Sequence, residues 1–388
     1  MRDASYCQAT AYHFGLETDQ LIGQEVKKHT DKVLLHYGRN SIKRHGIYDK
    51  VVHSLKASGV EFYELGGVLP NTDSRLIYEG IQLCREHDID FILAVGGGSV
   101  MDSAKAISVG VGYDGDFFDL FLQEAKPETA LKMGFVVTVP GSGSEASYGS
   151  VVTDYQRQEK AVCDTPLLSP TFVILNPTHT LSLSPSQTSC GIVDAISHLL
   201  ERYFSPTDYV DCTDRMCEGL MMTLMKYGRL VLSDPENVQI RGEIMWACKM
   251  AQDQIINFGR QQDWGCHKIA HEVGAFYDVS HGALVNVIFL QWMERAAKER
   301  PERFIQLGER IFGLDFPQAS CAMRTVEAYR AFLLDLGMAT TLSELGIKQD
   351  IHFDAIAKKA VRYMGSGTIG NYIRLAPDDI VTLLKQAV

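Results

Sequence analysis

The chain has 388 residues, 46% of them hydrophobic and 22% charged, with a formal net charge of −11. That size and balance fit a globular protein with room for two domains, and the acidic charge, with no basic stripe against it, argues against a nucleic-acid partner. No apolar run is long enough to span a bilayer, the first residues lack the apolar core of a secretion signal, and nine cysteines without framework spacing read as reduced thiols in a cytoplasm.

Along the first half, strand-like and helix-like segments alternate. Lys32–Tyr37 is an apolar run ending at Gly38, followed by a helical stretch from Tyr48 to Ala57. Val60–Leu65 stops at Gly66-Gly67, and a second helical stretch covers Asp73–Glu86. Phe91–Val95 leads into a helix from Ser99 to about Val109, and Gly134–Val139 and Thr171–Leu175 add two strands. Repeated strand–helix units of this kind predict a mostly parallel sheet with helices on both faces. The polar stretch from Ser150 to Lys160 fits a hairpin or an exposed loop equally well. After Asn176-Pro177 a segment rich in small polar residues and proline suits a connection, and beyond it helical spacing dominates, as in Cys217–Val231 and Arg241–Phe258. The tail from Leu342 to Val388 reads as short helices. The expectation is an α/β dinucleotide-binding domain over residues 1–180 and an all-helical metal-binding domain over residues 181–388.

Three strand ends carry the first candidate site. Gly96-Gly97-Gly98-Ser99 lies between a strand and a helix. Glycines there let the backbone approach a phosphate, and the helix N-terminus favours an anion. Ser99 is expected to cap the helix, with Asp102 completing a capping-box pattern. The run is not the Gly-x-Gly-x-x-Gly fingerprint, which disfavours a standard Rossmann site. Thr138 to Glu145, including Ser142, follows a second strand end, and Gly38-Arg39-Asn40-Ser41 a third. Ligands of open α/β sheets bind at such carboxyl ends. Arg39 can pair with a phosphate, and Asn40 and Ser41 can donate hydrogen bonds. No acidic residue follows the first strand to take a ribose 2′-hydroxyl, which favours NADP(H) over NAD(H). The plainer reading of Arg39 is a solvated surface charge.

The second candidate site is a set of ligand-type side chains. Asp194 and His198 stand four residues apart, as do His267 and His271, and His281 follows. On a helix that spacing puts both members of a pair on one face. A carboxylate with imidazoles suits a divalent first-row ion, Fe²⁺ or Zn²⁺. A lone buried histidine is more often a hydrogen-bonded core residue, and that reading is kept for His53, His87 and His179. Five candidates exceed the usual three or four protein ligands, so one of the five is expected not to be a ligand. In His267-Lys268-Ile-Ala-His271 a lysine stands where a metalloprotease needs its general-base glutamate, which argues against that class.

Taken together, the segments 96–105, 138–145, 191–198 and 267–282 resemble the iron-dependent (group III) alcohol dehydrogenases, and within them the NADPH-dependent butanol- and aldehyde-reducing branch. The resemblance covers nearly the whole chain. It implies a metal-dependent enzyme passing hydride between NADP(H) and short to medium aliphatic alcohols or aldehydes, and a homodimer. It also implies that Asp194, His198, His267 and His281 are the metal ligands and that His271 positions substrate or moves a proton. The implied cofactor contacts are Gly96, Gly97, Gly98, Ser99, Asp102, Thr138, Ser142, Lys160, the Pro-Asn turn at Asn71 and Thr180, beside Gly38, Arg39, Asn40 and Ser41. Ser142 replaces a common threonine, Asn176 a usual aspartate, Glu272 a common proline, and Gly38 the aspartate of NAD-preferring members. Losing that last carboxylate removes repulsion against a 2′-phosphate. A polyol oxidoreductase of the glycerol dehydrogenase kind, dehydroquinate synthase, a metal-dependent hydrolase without nicotinamide and a catalytically silent binding protein are the competing readings.

Overall fold

The segment Phe91–Gly96 is buried along its whole length. A strand covered on both faces needs such a continuous apolar run, because helices screen it from water on either side. In the computed structural model, which describes residues 2–157, 159–277, 279–315, 318–362 and 365–388, this run is one of eight strands. They are β1 (Ala11–Phe14), β2 (Lys32–Tyr37), β3 (Glu61–Leu65), β4 (Phe91–Gly96), β5 (Lys132–Val137), β6 (Gly149–Asp154), β7 (Glu159–Asp164) and β8 (Phe172–Leu175). Six of them form a sheet in the order β1-β8-β5-β4-β2-β3, every neighbouring pair parallel.

Alternation along each strand divides the core into two layers. Leu34, Ile92, Ala94, Phe135 and Val137 face the helices Ser74–Glu86 and Gly98–Val111, which supply Ile77, Ile81, Met101 and Ile107. Val33, Leu35, Leu93, Val95 and Val136 face the other way, onto Ile22 and Val26 and onto Ile47, Val51 and Leu55 of the helix Ile47–Ala57. After β2 the chain moves outward to β3, then returns to place β4 on the opposite side of β2. The order therefore reverses between β2 and β4, and in an open α/β sheet that is where a crevice opens at the strand carboxyl ends.

Two details go beyond the sequence reading. The edge strand β1 is only four residues long and half-exposed, too short to show alternation, and it is fixed by pairing with β8. The segment left open between hairpin and loop is an antiparallel hairpin, β6 with β7. It docks through Thr153, whose N–H donates to Thr72 O at 2.9 Å, on the turn preceding the helix Ser74–Glu86. Asp73 is the cap of that helix and not its first residue; its carboxylate accepts from Arg75 N at 3.0 Å.

The helical part begins at Ser184, which forms a capping box with Gln187 at the start of the long helix Pro185–Tyr203. Asp211–Ser233, Gly265–Phe276 and His281–Glu299 follow, then shorter helices to the C-terminus. The stretch expected as one helix from Arg241 to Phe258 ends earlier. Its helix is Val238–Gln252, and Asp253 then accepts from Ile255 N at 3.0 Å to start a 3-10 turn at Gln254–Asn257. Two compact units result: Cys7–Leu183 with Glu236–Lys249, and Ser184–Pro235 with Met250–Val388 and the N-terminal residues up to Tyr6. Glu236–Lys249 joins the sheet unit because Met245 packs into its core. Among the described residues no helix is long and apolar enough to cross a membrane.

Gly134 sits mid-sheet, where an added Cβ would meet the Phe172 ring at 2.3 Å. Gly134→Ala is expected to lower the unfolding free energy by roughly 1–3 kcal/mol, as overpacking of a core does. Chemical denaturation checks this; an unchanged midpoint would show that the ring yields freely.

Candidate functional site

The loops after β2, β4 and β5 leave three adjacent parallel strands and open at the same edge of the sheet, with Tyr37 beside Val95 and Gly96 beside Val137. This brings Gly38–Ser41, Gly96–Ser99 and Thr138–Glu145 together at one rim. The helix after β4 begins at Gly98, and its cap is Gly97 with no side-chain hydrogen bond. Ser99 is thus not the cap, contrary to the expectation, because the turn is tighter than a serine cap requires. Nor does Asp102 close a capping box. Its carboxylate accepts from Ser144 Oγ at 2.6 Å and Val151 N at 3.1 Å, tying this helix to the loop after β5.

The glycines have a use visible in packing. A Cβ on Gly96 would strike Val100 at 2.4 Å, on Gly97 Val139 at 2.9 Å, and on Gly98 Ser142 Oγ at 2.5 Å. Without side chains, the second loop lies directly against the first. Lys105, fully buried, completes the tie by donating to Ser144 O at 2.7 Å, Gly149 O at 2.8 Å and Ser147 O at 3.0 Å. Thr138 N donates to Gly96 O at 2.9 Å. These contacts hold the loops after β4 and β5 against each other.

Gly38 is different. Its φ is not positive, and a Cβ there would meet Val100 and Val68 only at an ordinary 3.7 Å. Nothing in the backbone demands glycine. Arg39, Asn40 and Ser41 are exposed around it, Asn40 and Ser41 at the start of a short helical turn. Asn71 has φ 62°, a left-handed conformation that asparagine tolerates, and its Oδ1 accepts from Lys160 Nζ at 3.4 Å. Thr180 is buried in the 3-10 turn Pro177–Thr180, and its hydroxyl donates to Pro177 O at 2.8 Å.

In the helical unit, Asp194 and His198 project from the buried face of Pro185–Tyr203, His267 and His271 lie on Gly265–Phe276, and His281 opens the next helix. Ligand atoms of Asp194, His267 and His281 all lie within 4.8 Å of one another. His198 Nε2 is 3.9 Å from Asp194 Oδ1, and its ring stacks on His267 with centroids 4.9 Å apart. His271 lies 5.2 Å from His281 and 6.5 Å from His267, ring to ring, at the margin of the group. Gly282 permits the convergence, since a Cβ there would meet Cys190 O at 2.4 Å and hold its helix off. Asp194 Oδ1 and His198 Nδ1 are buried without a hydrogen-bond partner among the described residues. Burial also holds His198 well below the usual histidine range and lowers His267 to about 3, so both rings stay neutral. Neutral imidazoles, a buried carboxylate and unsatisfied polar atoms are a donor set that fits a divalent transition-metal ion. By contrast His87, stacked on Tyr63, and His179, 2.9 Å from Asp19, belong to the sheet unit.

The model for iron-containing alcohol dehydrogenases matches residues 9–177, and that for the C-terminal domain of the Fe-containing alcohol dehydrogenase family matches residues 188–388. This chain belongs to the iron-containing alcohol dehydrogenase family. It is 34% identical to the NADH-dependent butanol dehydrogenase B of Clostridium acetobutylicum over 392 residues, with 100% of each chain covered. It is also 32% identical to the NADPH-dependent aldehyde reductase of Escherichia coli over 327 residues, 82% of this chain and 83% of that one. The crystal structure of the NADH-dependent butanol dehydrogenase A of Thermotoga maritima superposes with a TM-score of 0.96 at 32% identity, covering 100% of this chain and 99% of that one. The protein is therefore an oxidoreductase of the alcohol dehydrogenase and aldehyde reductase type.

Within this iron-containing dehydrogenase scaffold, the sequence reading missed the residues around the histidines. Glu201 is buried one turn beyond His198, and its carboxylate lies 2.8 Å from His267 Nδ1. Arg202 donates to His198 O at 2.8 Å and covers the Trp264 ring at 4.8 Å. The signal was present: Asp194, His198 and Glu201 fall at i, i+4 and i+7, one helical face. An isolated glutamate at that spacing, however, reads as an ordinary solvated charge.

His267→Ala is expected to abolish tight metal binding and turnover, whereas His271→Ala should lower the rate and leave bound metal largely intact. Elemental analysis beside initial rates separates the two; full metal content in His267→Ala would refute the ligand assignment. Burial also pushes the Asp194 carboxyl up to about 7. Below that pH an incoming ion must displace its proton; above it no such competition exists. Affinity of the metal-free protein for Zn²⁺ is therefore expected to fall by up to about tenfold per pH unit below about pH 7 and to level off above it. Chelator-competition titrations across that range check the sign.

Proposed function

We propose that this protein is a metal-dependent, NADP(H)-linked alcohol dehydrogenase and aldehyde reductase acting on short to medium aliphatic substrates. The observation that carries the metal-dependent reading is the convergence of Asp194, His267 and His281 in the helical unit, with His198 stacked beside them. In this reading residues 1–180 bind the dinucleotide and residues 181–388 hold the ion, Fe²⁺ or Zn²⁺.

Asp194, His198, His267 and His281 would hold the ion. When bound, the ion supplies Lewis acidity toward a carbonyl or alcohol oxygen and the nicotinamide supplies or accepts hydride. The chain's own residues do the remainder. Backbone N–H groups at Gly97, Gly98 and Ser99 cradle the pyrophosphate, with Asp102, Thr138, Ser142, Asn71, Lys160 and Thr180 as further cofactor contacts. His271, at the edge of the histidine group, moves the proton that the substrate oxygen gains or loses.

Support for NADP(H) lies at Gly38. No carboxylate follows β2, and Arg39, Asn40 and Ser41 stand exposed around the position. Relatives carry both preferences in their names, NADH-dependent for the butanol dehydrogenases and NADPH-dependent for the aldehyde reductase. Those names also support aliphatic alcohols and aldehydes as the substrate class. The family resemblance supports a homodimer, and the free state of all nine cysteines supports a reducing cytoplasm.

Metal-reconstituted protein assayed with butanal and a panel of alcohols, polyols and aldehydes, with NADPH and NADH, tests the reading. Absence of nicotinamide-linked turnover across the panel would overturn it. Because a Cβ fits at Gly38 and its φ is not positive, Gly38→Asp reads charge and not backbone strain. It is expected to weaken NADPH at least about tenfold through carboxylate–phosphate repulsion while sparing or improving NADH.

A further inference from the structure

We propose that Glu201 is the positioning residue for His267, holding the ring in the tautomer whose Nε2 is free for a metal ion; this inference rests on the metal-dependent reading above. Glu201 projects from the same buried face of Pro185–Tyr203 as Asp194 and His198. One carboxylate oxygen accepts from His267 N at 3.0 Å and lies 2.8 Å from His267 Nδ1. The other accepts from Trp264 N at 2.6 Å. Its own backbone carbonyl accepts from Asp263 N at 2.8 Å.

These contacts define a role. Although burial pushes the Glu201 carboxyl up to about 8, both of its oxygens already accept backbone N–H groups, so it faces the ring as an acceptor and the ring nitrogen opposite carries the hydrogen. Nδ1–H therefore points at Glu201, which leaves Nε2, 3.5 Å from Ser197 Oγ, as the ring's remaining ligand atom in the group with Asp194 and His281. The same carboxylate fixes the backbone from which the ring hangs, because Trp264 and His267 belong to the start of the helix Gly265–Phe276. Trp264 has φ 64°, a strained conformation for a bulky residue that persists only where its surroundings enforce it. A second carboxylate, Asp263, accepts from Gly265 N at 3.0 Å and from Asn371 N at 2.8 Å, so this strained turn is pinned from both sides. Ring orientation and tautomer are thereby set by Glu201, which does not belong to the ligand-atom cluster and which shares with Asp263 the fixing of the helix start.

The test uses the full-length protein, stripped of metal and titrated with Zn²⁺ in chelator competition. Glu201→Gln is expected to weaken Zn²⁺ about 10- to 100-fold, the loss usual when an outer carboxylate partner of a metal-bound histidine is removed. In a His267→Ala background, where only weak Zn²⁺ binding by the remaining ligands is left to titrate, the same change is expected to add nothing, because its target is gone. Equal losses in both backgrounds, or no loss in either, would overturn the proposal by showing a structural cap only. A second readout needs no metal. In ¹⁵N spectra of histidine-labelled metal-free protein, His267 is expected as the Nδ1–H form, giving way to a mixture in Glu201→Gln; an Nε2–H ring in the unaltered protein sinks the idea. If the unaltered protein bound no Zn²⁺ at all, the metal-dependent function would fall, while the tautomer measurement would still decide the role of Glu201.

Discussion

The helical unit depends on a single constraint: polar atoms buried on one face of the helix Pro185–Tyr203 must find partners. Asp194, His198 and Glu201 point from that face into the interior, where water is excluded. Glu201 is satisfied by N–H groups of the neighbouring helix start. Asp194 Oδ1 and His198 Nδ1 have no partner among the described residues. An unpaired buried carboxylate is expensive, and burial drives its pKa up toward neutrality in response. A cation resolves that penalty, which is why a donor set of this kind is both a weak point of the fold and its most informative feature.

The sheet unit meets a different requirement. Its loops after β4 and β5 pack directly against each other. Missing side chains allow this: Gly96, Gly97 and Gly98 leave room that Val100, Val139 and Ser142 fill. Buried charges then lock the arrangement, with Lys105 on three carbonyls and Asp102 on the adjoining loop and hairpin. A buried ammonium group is tolerable only when several acceptors surround it, so the tie is specific to this loop geometry. Gly38 stands outside the packing scheme. Its lack of a side chain is not enforced sterically.

Much of the sheet unit was readable from residue order, because buried parallel strands are short apolar runs punctuated by glycine. β2 has the predicted limits, and the boundaries of β3, β4, β5 and β8 differ by at most two residues from those expected. What escaped has particular causes. β1 is four residues long and takes its conformation from β8. Ser150–Lys160 lacked decisive alternation, and the hairpin is made by cross-strand pairing that local pattern does not reveal. The predicted cap at Ser99 failed because a glycine turn replaces the side-chain cap. The helix expected to reach Phe258 stops at Gln252 because Asp253 captures the next free N–H.

The sequence by itself determined the family and the candidate residues: a carboxylate and histidines at helical spacing, glycine turns after apolar strands, and family motifs spread over the whole chain. Those are properties of local order, since i to i+4 spacing and strand–turn–helix grammar are fixed by backbone geometry. Only the tertiary structure decided how the histidines are arranged. That His198 stacks on His267, and which nitrogen of His267 faces a carboxylate, depend on contacts across more than sixty positions of sequence, as the Glu201–His267 pair shows with a separation of 66. Such contacts are set by side chains packing between helices, and no local pattern encodes them.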